Sequence, residues 1–131
     1  MKIRRIGWFG LWTDHFPETA EFFSSVLGLP TDYAEPDFAM FALPDADRDF
    51  VEIFGPAQSG DWPAPDMGSS LGFVVDDVVG AREELTARGA DLVGEITWLS
   101  SRPGYGWFNI RGPDGRIYSI IQGSRLTGAN E

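Results

Sequence analysis

A chain of 131 residues is the size of one domain built on a single core. Hydrophobic residues make up 43% of it and charged residues 23%, the balance of an ordinary soluble globular protein, and no run of about 18 apolar residues offers a membrane span. The formal net charge of −10 repels phosphate backbones and anionic lipid, which argues against nucleic acid or membrane partners and in favour of a cationic small molecule. The absence of cysteine removes disulfides, thiol nucleophiles and sulfur-held zinc together.

The opening stretch Met1-Lys2-Ile3-Arg4-Arg5 is basic but runs into glycine and aromatics in place of an apolar signal core. No secretory signal is expected, and the expected location is cytoplasmic. Residues 3–13 read as a strand with aromatics at alternate positions. Thr13 or Asp14 can cap a helix whose first turn holds Pro17 and Glu18. Ala20, Phe23, Val26 and Leu27 follow helical spacing with Phe22 on a second flank, Gly28 is placed to end the helix, and Pro30 forbids its continuation. Short strands are expected near Asp32–Ala34, Phe38–Leu43 and Asp49–Phe54, with a turn at Pro44-Asp45-Ala46-Asp47.

The stretch from Gln58 to Gly68, rich in Pro, Gly, Asp and Ser, reads as a linker whose Trp62 is expected to pack down. The plan then repeats, about 61 residues on: a strand over Ser70–Asp76, a helix near Val78–Arg88 with a Val78, Ala81, Leu85 stripe, and Gly89 at its end. Strands near Val93–Leu99 and Tyr105–Ile110, the tight turn Gly112-Pro113-Asp114-Gly115 and a last strand Arg116–Gln122 complete it. The expected architecture is therefore α+β, two βαβββ units within one domain over 1–131. Unit one covers about 3–57, the linker about 58–68, unit two about 69–122 and a polar tail 123–131, with a cleft expected between two curved mixed sheets.

The helix ending Phe22-Phe23-Ser24-Ser25-Val26-Leu27-Gly28-Leu29 resembles the FYxxVLGL signature of the vicinal oxygen chelate superfamily, which holds glyoxalases, bleomycin-resistance proteins and ring-cleaving dioxygenases. Val75-Asp76-Asp77-Val78 with Gly89, the strand Phe50-Val51-Glu52-Ile53, and Gly112-Pro113-Asp114-Gly115-Arg116-Ile117-Tyr118 are similar to three further signatures of it, in the same order. The resemblance implies a divalent metal held by His, Glu or Gln from the first and last strand of each unit. Those positions fall here on Trp8 (Gly7 if the register slips), Glu52, Ser70 and Ser119, of which Glu52 alone is a good ligand. An indole and two neutral hydroxyls cannot compensate for stripping water from a divalent ion. His15, the sole histidine, stands at a strand–helix corner. No metal or other cofactor is expected, and Glu52 is the only candidate base.

Strand alternation aims Trp8, Gly10 and Trp12 at the cleft with Phe50, Glu52 and Phe54, and Phe9, Leu11, Val51 and Ile53 at the helix. Ser70, Gly72 and Val74 face it from unit two, with Ile117, Ser119 and Ile121, and Trp98 and Trp107 are expected at the rim. Gly10 and Gly72 leave space for something flat, and Glu52 pairs either with a ligand, with a buried donor such as Arg111 or Arg116, or with ordered water. The reading is a metal-free binder of an aromatic or cationic molecule, held by stacking, cation–π contact and one carboxylate, and acting as a homodimer. The alternatives are a lyase, isomerase or dioxygenase that uses Glu52 as metal ligand or base, and a plain interaction module whose own side chains fill the cleft.

Overall fold

The computed structural model describes residues 1–44, 48–57 and 68–124. Trp62, the turn at 45–47 and the tail from residue 125 lie outside the described residues. Among the described residues the chain forms two compact units, one within Trp8–Ser69 and one of Met1–Gly7 with residues 70–124.

In the N-terminal unit, β1 (Arg5–Trp12) supplies its residues from Trp8 on, followed by α1 (Phe16–Glu21), β2 (Thr31–Glu35), β3 (Phe38–Ala42) and β4 (Phe50–Phe54). Their order is β2-β3-β4-β1, with β1 parallel to β4 and the other pairs antiparallel. The C-terminal unit has β5 (Ser69–Val74), α2 (Val78–Ala87), β6 (Asp91–Trp98), β7 (Gly106–Arg111) and β8 (Ile117–Gln122). Its order is β5-β8-β7-β6, again with one parallel pair, β5 with β8. The two plans coincide strand for strand, as the repeat in the sequence requires, and the βαβββ arrangement holds in each.

Each unit packs one sheet face on its helix. Ala39, Phe41, Val51 and Ile53 make a buried cluster against which Phe9, Leu11, Phe16, Ala20 and Phe23 pack. In the C-terminal unit Val75, Val78, Ala81, Phe108 and Ile120 do the same, with Phe73, Leu85, Leu92, Ile96 and Ile110 around them. Period-two alternation in the strands and helical spacing in α2 put these side chains on one side.

The first helix departs from expectation in two ways. His15, not Thr13 or Asp14, occupies the capping position and its side chain makes no cap, while the Thr13 hydroxyl accepts the His15 N–H at 3.0 Å. After Glu21 the helix widens into a π-helical segment, Phe22–Val26, in which Leu27 N–H reaches back to Phe22 carbonyl at 2.9 Å. The Ser24 hydroxyl donates to the Glu21 carbonyl, a local competitor for the backbone acceptor that favours such a distortion. Widening rotates the last turn, so Phe22, Val26 and Leu27 stand exposed, Val26 to 70%, and only Ala20 and Phe23 of the expected stripe reach the core.

The second helix is capped as helices usually are. Asp77 accepts from Gly80 N–H at 3.2 Å, the Gln122 side chain accepts from Val78 N–H at 2.9 Å, and Ala90 N–H returns to Leu85 carbonyl past Gly89 at φ 83°. Asp77→Ala is expected to lower stability by about 1 kcal/mol, within the 0.5–2 kcal/mol range of lost caps, measured by urea unfolding. A change below about 0.3 kcal/mol would show that Gln122 alone holds the helix start.

Candidate functional site

Parallel pairing of β1 with β4 sets Gly10 opposite Glu52 and Trp8 opposite Phe50. Trp8, Gly10, Trp12, Phe50, Glu52 and Phe54 therefore share the face turned away from α1. Trp8 lies two residues before Gly10, and its indole folds over that glycine: a Cβ at Gly10 would run into the six-membered ring. The reach carries Nε1 across to Glu52, where the indole N–H donates to Oε1 at 2.9 Å in a fully buried pair, Glu52 being 3% exposed. Further along the same strands Trp12 stacks on Phe54, with ring centroids 4.7 Å apart and planes 13° from parallel. Phe38 packs on Phe54 at 5.3 Å. A hollow of about 90 Å³ opens where β1 and β4 end, lined by Trp12, Thr13, Asp14, Gly55 and Pro56.

Two expectations change here. The space above Gly10 is filled by Trp8 itself, because a side chain two residues back on the same face leans into any gap that a glycine leaves. One buried donor on Glu52 is that indole, and Arg111 has an ion pair with Asp91 and Arg116 one with Asp114.

In the C-terminal unit the parallel register sets Gly72 opposite Ser119, so Ser70, Gly72 and Ser119 are the counterparts of Trp8, Gly10 and Glu52. Both hydroxyls are buried and engaged. Ser70 Oγ donates to the Ile117 carbonyl, and Ser119 Oγ donates to Asn109 Oδ1 at 2.8 Å. Asn109 was countable from the sequence, since a hairpin centred on Asp114 sets it opposite Ser119.

Trp107 is half-buried, with the ring of Tyr105 at 5.4 Å. Trp98 does not join it. Trp98 pairs with Gly106, and its indole lies over that glycine on the α2 side of the hairpin, whereas Trp107 points to the other side. Trp98 stays half-exposed, so the pair does not form one rim. His15 is exposed at the start of α1.

Three surface carboxylates of the C-terminal unit sit below the ordinary carboxylate range. A hydrogen bond from Arg4 holds Asp76 down, the terminal amine of Met1 lowers Glu84, and the Tyr118 hydroxyl, donating at 2.8 Å, lowers Asp114. Depressed carboxylates stabilise the fold above their unfolded pKa and lose that contribution as pH falls through the folded one; at the surface, screened by water, these matter little.

The chain belongs to the Glyoxalase/Bleomycin resistance protein/Dioxygenase superfamily, whose family model matches residues 5–116. No curated protein matches it in sequence. Among solved structures it is similar to a variant of Streptomyces coelicolor methylmalonyl-CoA epimerase in complex with 2-nitronate-propionyl-CoA, at TM-score 0.70 and 17% identity over 97% of this chain and 99% of that one. A superfamily member from Vibrio splendidus 12B01 matches at TM-score 0.64 and 18% identity over 92% and 98%. The Mn(II)-bound glyoxalase from Novosphingobium aromaticivorans matches at TM-score 0.65 and 20% identity over 98% of this chain and 42% of that one. The shared fold is the mixed α+β, βαβββ-repeat architecture of this superfamily, and at these identities the likeness extends to the fold alone.

Among the described residues, the donor set at Trp8, Glu52, Ser70 and Ser119 does not fit a divalent metal. Among the described residues no three His, Cys, Asp or Glu side chains gather as a metal group. Glu52 takes an indole N–H, Ser70 donates to a carbonyl and Ser119 to an amide oxygen. An indole nitrogen has no lone pair to give, and a serine hydroxyl is a weak neutral donor. Among the described residues no helix is long and apolar enough to cross a membrane.

Proposed function

We propose that this protein binds a small aromatic or cationic molecule without a metal, on the face of the N-terminal unit that carries Trp8, Trp12, Phe50, Glu52 and Phe54. The observation that carries the reading is the buried Glu52 carboxylate set among aromatic rings, with the Trp8 indole as its donor. Ring faces attract flat and cationic groups, a carboxylate in such surroundings rewards a charged partner, and the protein's net charge of −10 draws cations in. The hollow beside Trp12 is room for about three waters, since each takes roughly 30 Å³. A ring or an ammonium group fits at this end of the strands, and a larger molecule has to part the Trp12–Phe54 stack. Ser70, Ser119, Trp98 and Trp107 belong to the C-terminal unit and are not part of this reading.

A polyanionic ligand such as the acyl-CoA in the epimerase complex is disfavoured by the same acidity. The protein is read further as a cytoplasmic homodimer, supported by its lack of cysteine and by the exposed Phe22, Val26 and Leu27, with light scattering as the check on assembly.

The deciding experiment is a titration with planar and cationic antibiotics, followed by tryptophan fluorescence and calorimetry on dialysed protein. At least one compound is expected to bind at one per chain, and Glu52→Gln to weaken a cationic one by about 1.5–3 kcal/mol, ten- to a hundredfold. Metal-dependent turnover of a substrate, lost in Glu52→Gln, would replace this reading by the enzymatic one.

A further inference from the structure

A residue of the β2–β3 turn fastens one side of the hollow beside Trp12. The turn is Pro36-Asp37, and Asp37 takes φ 64°, the left-handed region where glycine or asparagine is usual at the second turn position. Strain of that kind persists where surrounding contacts hold it, and it gathers at ligand clamps and switch regions. The holding contacts here run to the chain that leaves β4. The Asp37 carbonyl accepts the Gly55 N–H at 2.8 Å, and its carboxylate accepts the Ala57 N–H at 2.7 Å. Pro56 between them has no N–H, so Asp37 takes both donors of the stretch. The carboxylate also lies against the bare side of Gly55, where a Cβ would fall 2.5 Å from Oδ1.

Gly55 and Pro56 line the hollow from the end of β4, and Trp12, Thr13 and Asp14 line it from the end of β1. The β1 side is tied as well, by the Thr13 N–H on the Phe54 carbonyl at 2.9 Å. With both sides fastened the opening stays near 90 Å³, enough for a compact group. We infer that Asp37 sets the size limit of this hollow: its clasp on residues 55–57 admits a compact cationic head, such as a methylated ammonium, and shuts out a bulkier one. The inference rests on the binding reading above and narrows its ligand by size. Asp37 is a positioning residue, acting through Gly55 and Pro56 without touching the ligand.

The test is calorimetric titration of the intact protein with tetramethylammonium and tetrabutylammonium, which carry the same charge and differ in bulk. The parent is expected to bind the small cation about tenfold more tightly than the large one. Asp37→Gly keeps the left-handed turn without strain and removes the carboxylate. It should narrow that preference to about twofold, while the Ala57 amide exchanges with deuterium about fivefold faster. Gly55→Ala should narrow the preference in the same way, because the new methyl displaces the end of the Asp37 side chain. Asp37→Asn, whose amide oxygen can still accept the Ala57 N–H, should keep the parent's preference.

A preference still near tenfold in both Asp37→Gly and Gly55→Ala would overturn the inference and leave the binder reading standing. Loss of the preference in Asp37→Asn, with the Ala57 amide as protected as in the parent, would overturn it too, since the clasp would then not be what selects. Binding of neither cation by the parent would also overturn it, and silence across the antibiotic panel as well would remove the binder reading with it.

Discussion

Phe108→Ala is expected to be the most damaging single truncation in the C-terminal unit, costing about 3–5 kcal/mol. Phe108 is 1% exposed on β7, the strand flanked by β6 and β8, and it packs with Val75, Val78, Ala81 and Ile120 where the sheet meets α2. Removing the ring leaves a void that a sheet hydrogen-bonded on both sides cannot collapse to fill. The midpoint of thermal unfolding should fall by about 10–20 °C, with the urea m-value unchanged. Val26→Ala is the comparison: on the exposed π-helical turn it should stay within about 0.5 kcal/mol of the parent. If the two substitutions cost the same, the assignment of Phe108 to the core and of Val26 to the surface is wrong.

That contrast also marks how far the sequence can be read. Phe108 and Val26 are both apolar at positions where a period predicts burial. Phe108 reaches the core because alternation is fixed by the pleat and cannot slip without turning every side chain of β7 to the other side. The helix reading failed at its last turn because a single serine hydroxyl on the Glu21 carbonyl accompanies a change from α to π winding, and a hydrophobic pattern carries no sign of that. Likewise, the turn Gly112-Pro113-Asp114-Gly115 fixes the β7–β8 register and hence the Asn109–Ser119 pair. The β6–β7 register is broken between Val93 and Thr97, where Gly94 takes φ 74°, and counting from the turn does not reach Trp98.

The candidate site was legible to the same depth. Alternation put Trp8, Gly10 and Glu52 on one face, and the family signatures singled out Glu52. What neither could supply is the direction of a side chain along its strand. Trp8 could have stood upright and left Gly10 open; instead it leans over the glycine and closes on the carboxylate. Rotamer choice depends on neighbours brought by β4, which a linear pattern does not show.

Gly10→Val gives that geometry its sharpest trial, because two rules predict opposite signs. Valine is favoured over glycine in a strand, by up to about 1 kcal/mol, so an open site would be stabilised. Here the new Cβ meets the Trp8 ring, which is itself buried and has Phe50 opposite it on β4. The indole must swing away, which strains a packed face by about 1–3 kcal/mol and forfeits the bond to Glu52. The expected result is a net loss of about 1–3 kcal/mol in urea unfolding, with the Trp8 Nε1–H signal displaced. Loss of stability with that signal unmoved would locate the strain elsewhere in β1. A stabilised variant would mean that the indole does not rest on Gly10, and with it would go the reason why its N–H reaches Glu52.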